Sequence, residues 1–322
     1  GRGDRCDHLA MKAAHPRRFR FGVEMLGPFE GMSWADYARR LEQLGYSTLF
    51  VPDHFHNGLG PITAMATAAV ATTELVVAPM VLACDFRHPA VLARELATID
   101  VLSGGRLEVG LGAGYNPLDY SRSGIGHDPP RVRVDRLIEH THVLRGLFSD
   151  APFSFSGEHY RIDDLDGTPK PVRPGGPPII VAGGGSRLLT FAARHADIVG
   201  VNPSLPSAPD ASTALDALPD AIDRKFELVR RVAGDRFDAL EITSWTSVAA
   251  ITDDLSRVRA RLHAAFGDAA LALQSPVVLA GSVGQVVDEL VRRRERWGYS
   301  YVALQADQAE AFAPVVAELA GR

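Results

Sequence analysis

Asp53-His54-Phe55 closes a short β-branched run, Thr48 to Pro52, and sets a carboxylate beside an imidazole. Histidine can exchange protons near neutral pH, and aspartate can fix the ring or bind a polar edge. The same dipeptide also suits a strand-end aspartate that caps the next loop beside a solvated histidine. Three further stretches carry chemistry. The run from Pro79 to Pro89, PMVLACDFRHP, ends in a polar, arginine-containing turn fit for an anion or for the free amides of a helix start. Gly110-Leu111-Gly112-Ala113-Gly114-Tyr115-Asn116 lets a planar ligand approach bare backbone, with Tyr115 and Asn116 as hydrogen-bonding groups, or forms an ordinary glycine-rich turn. Gly183-Gly184-Gly185-Ser186-Arg187 joins amides, a hydroxyl, a helix start and a guanidinium into a phosphate cradle, with a plain turn as the alternative. Its glycines lack the spacing of a dinucleotide fingerprint. Cys84 reads as a buried thiol, because no general base stands beside it.

All four stretches follow strand-like runs, which is where an α/β barrel builds its site. The runs are Phe19 to Met25, Thr48 to Pro52, Leu75 to Ala83, Leu107 to Leu111, Ile179 to Ala182, Ile198 to Val201, Leu240 to Ile251 and Tyr301 to Gln305. Amphipathic helical segments separate them, so the pattern predicts α/β architecture in a single (β/α)8 TIM barrel with insertion loops at the carboxyl face of the strands. The longest such loop, Gly112 to Pro130, has functional length. Phe153 to Leu165 alternates like a small hairpin. The barrel is expected over residues 19–322, and residues 1–18, which lack a signal-like apolar stretch, are expected to be a disordered leader.

Composition narrows the function classes. Among 322 residues, 46% are hydrophobic and 23% charged, ample for a large soluble core. A net charge of −5 gives no basic footprint for nucleic acid, and no window approaches a membrane span. Cys6 and Cys84 are too few for a disulfide framework and lack metal-ligand spacing, so a reduced, cytoplasmic protein without a metal is expected.

Taken in order, these elements resemble the luciferase-like superfamily of flavin and deazaflavin oxidoreductases, over about Arg20 to Gln305. The resemblance rests on Asp53-His54-Phe55, His88-Pro89 through Gly104-Gly105-Arg106-Leu107, Gly110 to Asn116, and Ile180-Val181-Ala182-Gly183-Gly184. Gly157-Glu158-His159-Tyr160 and Gly281-Ser282-Val283 add weaker support. It is most similar to the branch dependent on coenzyme F420, a deazaflavin, with FMN as the alternative cofactor. The resemblance implies a ring at the barrel mouth, backed by a bulge in the third strand with a non-proline cis peptide at Met80-Val81. It implies that Ala83 offers an amide to the ring and that Asp53 and His54 sit by its edge. The run containing Gly112, Ala113, Gly114 and Asn116 would line the ring, and Gly183, Gly184, Gly185, Ser186 and Arg187 would hold the phosphate-bearing tail. Relatives that oxidise sugar phosphates carry a glutamate where this chain has Tyr115, which disfavours that substrate.

The expected activity is hydride transfer between the deazaflavin and a small organic substrate, preferentially reduction, with His54 or Tyr115 exchanging the proton. An FMN-dependent monooxygenase and a non-catalytic cofactor-binding barrel are the competing readings. A homodimer is the expected assembly, with neither nucleic acid nor membrane as a partner.

Overall fold

The computed structural model describes residues 15–27, 31–56, 58–204 and 211–322. The chain alternates strand and helix from its first described element. In order these are β1 (Arg20–Glu24), α1 (Trp34–Gln43), β2 (Thr48–Val51), α2 (Pro61–Ala71), β3 (Val76–Pro79), β4 (Leu82–Ala83), α3 (Pro89–Ser103) and β5 (Val109–Gly112). Then come α4 (Pro117–Ser123), α5 (Pro130–Leu147), β6 (Phe153–Ser156), β7 (Arg161–Leu165), β8 (Ile179–Gly183), α6 (Ser186–His195) and β9 (Ile198–Val201). The rest are α7 (Ala211–Asp216), α8 (Pro219–Ala233), β10 (Glu241–Trp245), β11 (Val248–Ile251), α9 (Ser256–Phe266), α10 (Ala269–Ala272), β12 (Val278–Gly281), α11 (Val283–Trp297), β13 (Tyr299–Gln305) and α12 (Ala309–Leu319).

Local signals explain these elements. Ser33 accepts a hydrogen bond from the Asp36 amide and so starts α1, whose Trp34, Tyr37, Ala38 and Leu41 form one buried stripe. Ser282 and Gln285 make a reciprocal capping box at the start of α11. Nine parallel strands form one sheet in the order β3-β2-β1-β13-β10-β9-β8-β5-β4. The two ends, β3 and β4, are halves of one strand interrupted at the cis peptide Met80-Val81. A bridge from Val77 to Leu107 brings β3 back toward the β5 side, so the sheet nearly closes into an eight-stranded TIM barrel.

Phe50, Ala78, Ile180, Ile198, Tyr301 and Ala303 fill the lumen. The larger apolar layer lies between the strands and the helices outside them. Two features depart from the sequence pattern. The expected seventh strand, Leu240 to Ile251, divides into β10, which belongs to the barrel, and β11, which pairs instead with β12. The strand β12 was missed because four residues of VLAG carry too little periodicity to separate from the helix that follows. Of the expected leader, residues 1–14 lie outside the described residues; His15 is buried, with Nε2 3.2 Å from the Phe237 carbonyl oxygen.

The amino-terminal mouth is closed by paired charges. Arg20 reaches Glu241 at 2.8 Å and Glu108 at 2.8 Å, while its guanidinium lies 3.8 Å from the centre of the Tyr301 ring. The Tyr301 hydroxyl is within 2.7 Å of Thr48 Oγ1 and 3.0 Å of Glu108 Oε2. Burial pushes the Glu108 carboxyl up, and Arg20 opposes that shift. A cavity of about 540 Å³ opens here, lined by Arg17, Arg18, Arg20, Glu108, Asp197 and Glu241 among others. Because it lies at the amino ends of the strands, where barrels place stabilising rather than catalytic groups, it is not the reactive face. Arg20→Leu is expected to lower the unfolding free energy by about 3–5 kcal/mol, since it leaves two buried carboxyls facing each other. Urea unfolding checks this, and a loss below about 1 kcal/mol would show that the network is no clamp.

Candidate active site

At the carboxyl ends of the strands the chain gathers its ionisable side chains. Asp53, just past β2, is buried and accepts hydrogen bonds from Arg87 Nη1 at 2.7 Å, Arg87 Nη2 at 3.1 Å and the Ala83 amide at 3.2 Å. It therefore ties the β2 loop to the turn after β4. The Ala83 amide expected to face a ring is given to Asp53 here, and Asp53 does not orient His54.

That task falls to Asp119. His54 Nδ1 lies 2.7 Å from Asp119 Oδ2, and the Phe55 amide donates to Oδ1 at 2.9 Å. His56 Nδ1 stands 3.2 Å from the same Oδ1. Burial raises the Asp119 carboxyl, but these hydrogen bonds outweigh it and hold the group below the usual carboxylate range. An ionised carboxylate accepts only, so His54 Nδ1 carries a proton and donates in this contact. Asp119 lies on α4, a short helix inside the loop that the sequence leaves irregular. Asn116 starts that helix by accepting from the Leu118 amide at 3.1 Å, so its side-chain oxygen serves the backbone. The sequence reading supplies no metal ligands. The structure nonetheless brings ligand atoms of His54, His56 and Asp119 within 4.8 Å of one another.

Tyr115 stands edge-on to His54 with ring centroids 5.8 Å apart and is 44% exposed. Partial burial, then the carboxylates of Glu24 and Asp119, push that hydroxyl up, which keeps it protonated at neutral pH. Glu24 escaped the sequence reading. It ends β1, and its Oε2 accepts from Trp245 Nε1, at the end of β10, at 2.6 Å. Burial raises its carboxyl, with Trp245 and His54 pulling the other way. The available signal was a lone acid ending the apolar run Phe21-Gly22-Val23, where a barrel strand meets its site.

Packing accounts for much of the glycine-rich run. A Cβ on Gly110 would lie 2.0 Å from the Pro79 oxygen, and one on Gly112 2.5 Å from the Val81 side chain. These glycines let β5 press against the Met80-Val81 bulge. Buried Arg133 holds the carbonyl oxygens of Ala113, at 3.2 Å, and of Gly114.

The loop after β8 divides in the same way. A Cβ on Gly184 would sit 2.3 Å from the Ser204 amide nitrogen, so this glycine serves a close backbone approach. At Gly185 nothing lies within 4 Å, and α6 begins there with no side-chain cap. Open space at an uncapped helix start fits an anionic group. Ser186 is exposed, whereas Arg187 is drawn to Asp135 on α5 and to the Arg131 carbonyl at 3.4 Å. Cys84 is buried and burial pushes its thiol up, as expected of a structural cysteine.

An α/β barrel with an acid, a histidine–carboxylate pair and a tyrosine at its carboxyl mouth carries the groups of an acid–base site where such barrels do their chemistry. The chain belongs to the luciferase-like monooxygenase family, whose profile matches residues 29–321. It is 27% identical over 243 residues to an F420-dependent glucose-6-phosphate dehydrogenase of Amycolatopsis mediterranei, covering 70% of this chain and 72% of that one. Among solved structures it is similar to the coenzyme F420 dependent tetrahydromethanopterin reductase of Methanopyrus kandleri, with a TM-score of 0.71 at 18% identity over 94% of this chain and 99% of the other. The monooxygenase RslO1 of Streptomyces bottropensis gives the same TM-score, 0.71, at 21% identity, with 93% and 98% covered. Among the described residues no helix is long and apolar enough to cross a membrane.

Proposed function

We propose that this protein is an F420-dependent oxidoreductase that moves a hydride between the deazaflavin and a small organic substrate, preferentially as a reductase of a C=C, C=N or C=O bond. The observation that carries this reading is the cluster of Glu24, His54 and Tyr115 at the carboxyl ends of the strands, a set able to bind and protonate an uncharged substrate. The F420-dependent relative supports the choice of cofactor. Gly185 and the start of α6 would hold the phosphate-bearing tail, and the Met80-Val81 bulge would back the ring. A bound deazaflavin supplies the hydride. Asp119 holds the His54 ring through Nδ1, and Tyr115, still protonated, can donate a hydrogen bond to the substrate oxygen or nitrogen. Buried Glu24 retains a proton above the pH at which an exposed glutamate would lose it.

The discriminating experiment is equilibrium binding of F420 and of FMN to the apoprotein. Tight F420 binding with negligible FMN binding is expected; the reverse would support the monooxygenase reading. Gly185→Asp tests the tail site. A carboxylate there is a good helix cap, so the thermal midpoint should hold or rise. F420 affinity should nevertheless fall by roughly tenfold or more, because the new charge meets the phosphate at the helix start. An unchanged dissociation constant would return the loop to a structural turn. Gly184→Asp is the poorer probe, given its backbone contacts.

A further inference from the structure

We propose that His54, His56 and Asp119 form a binding site for a divalent transition metal of the zinc class at the barrel mouth. Both imidazole Nδ1 atoms already rest on one carboxylate, at 2.7 and 3.2 Å, and all three ligand atoms lie within 4.8 Å of one another. Tetrahedral zinc, with bonds of about 2.0–2.2 Å, needs its ligand atoms about 3.4 Å apart, so the contacts at 2.7 and 3.2 Å must open while the widest pair, within 4.8 Å, closes by about 1.4 Å at most. The donors select the metal. Two imidazole nitrogens and one carboxylate suit zinc, cobalt, nickel or copper, while calcium and magnesium call for oxygen ligands.

The second shell is also in place. Asp119 is anchored on α4 and accepts the Phe55 amide at 2.9 Å, which fixes the carboxylate between the two rings. His56 has no part in the mechanism proposed above, yet it is aimed at the same oxygen as that amide. Its side chain is 33% exposed and that of His54 21%, so an ion has access from solvent.

Coordination balances without an external reactant. The proton on each Nδ1 leaves to Nε2 of the same ring or to water, and the freed Nδ1 lone pair takes the metal. Three protein ligands then leave a fourth position for water or another small ligand. The consequence for turnover rests on the reading of His54 as a proton-exchanging residue: with the metal bound, its Nε2 carries a proton and no longer accepts one.

The test uses chelator-treated full-length protein titrated with cobalt(II) and with zinc(II). One equivalent of cobalt should bind with the visible absorption of a tetrahedral site, and zinc should displace it and raise the thermal midpoint. His56→Ala, at a half-exposed position that does not endanger folding, should weaken zinc binding by about 10- to 100-fold. Absence of stoichiometric binding would overturn the proposal, as would equal affinity in wild type and His56→Ala. These readouts do not depend on turnover, so they stand or fall apart from the proposed oxidoreductase activity.

Discussion

Replacing His54 with Asn is expected to lower turnover by roughly 100- to 10,000-fold while changing F420 affinity far less. The ring sits past β2 with Nδ1 fixed on Asp119 at 2.7 Å and Tyr115 edge-on beside it. Asparagine keeps a donor for Asp119 but removes the only group of the pair that can exchange a proton near pH 7. Steady-state rates with F420 and substrate varied separately divide binding from chemistry. A weaker F420 dissociation constant with normal saturated turnover would make His54 a binding residue. Near-normal values of both would remove it from the mechanism and turn attention to Tyr115, for which Tyr115→Phe is the matching change. Asp119 positions His54 and also accepts from the Phe55 amide and His56, so Asp119→Asn should lower turnover less than His54→Asn.

Much of this architecture was legible because barrel strands are short, apolar and bounded by glycine or proline. Phe19 to Met25, Ile179 to Ala182 and Ile198 to Val201 read as strands and fold as β1, β8 and β9. The bulge implied at Met80-Val81 is present, with the cis peptide where the resemblance puts it. Partnership was harder to read. Asp53 and His54 are neighbours in sequence, but successive side chains leave an extended segment on opposite sides, so adjacency says little about contact. Asp53 turns to Arg87 and His54 to Asp119, 65 residues further on. Asp119 lay hidden in a stretch whose glycines and prolines read as loop, although Asn116-Pro117 before it and Gly124 after it mark the start and stop of a seven-residue helix. The glycine runs show the converse limit. Gly112 and Gly184 have the composition of a ligand cradle, yet their open sides are filled by Val81 and by the backbone of 202–204, a distinction that only packing reveals.

Glu24→Gln carries the second large expectation, a loss of turnover of about 100-fold or more in the reductive direction, the usual worth of a positioned acid. Glutamine keeps the shape and an oxygen to accept from Trp245 Nε1, so the contact between the ends of β1 and β10 survives and only the acidic proton is lost. Burial raises the Glu24 carboxyl, while the Trp245 hydrogen bond and nearby His54 lower it, and the balance stays above the ordinary value of 4.5. Reduction that draws its proton from Glu24 should therefore slow as pH rises through that raised value, and Glu24→Gln should lack this limb of the profile. Stability gives an independent sign. A carboxyl whose folded pKa exceeds its unfolded one contributes fully below the unfolded value and loses that contribution as pH rises through the folded one. The always-neutral glutamine should thus match wild type near pH 4 and exceed it in thermal midpoint near pH 8. Both effects are expected together if Glu24 is the buried acid of the site. A higher midpoint at pH 8 with unchanged turnover would reduce Glu24 to the partner of Trp245 and return the proton to His54 or Tyr115.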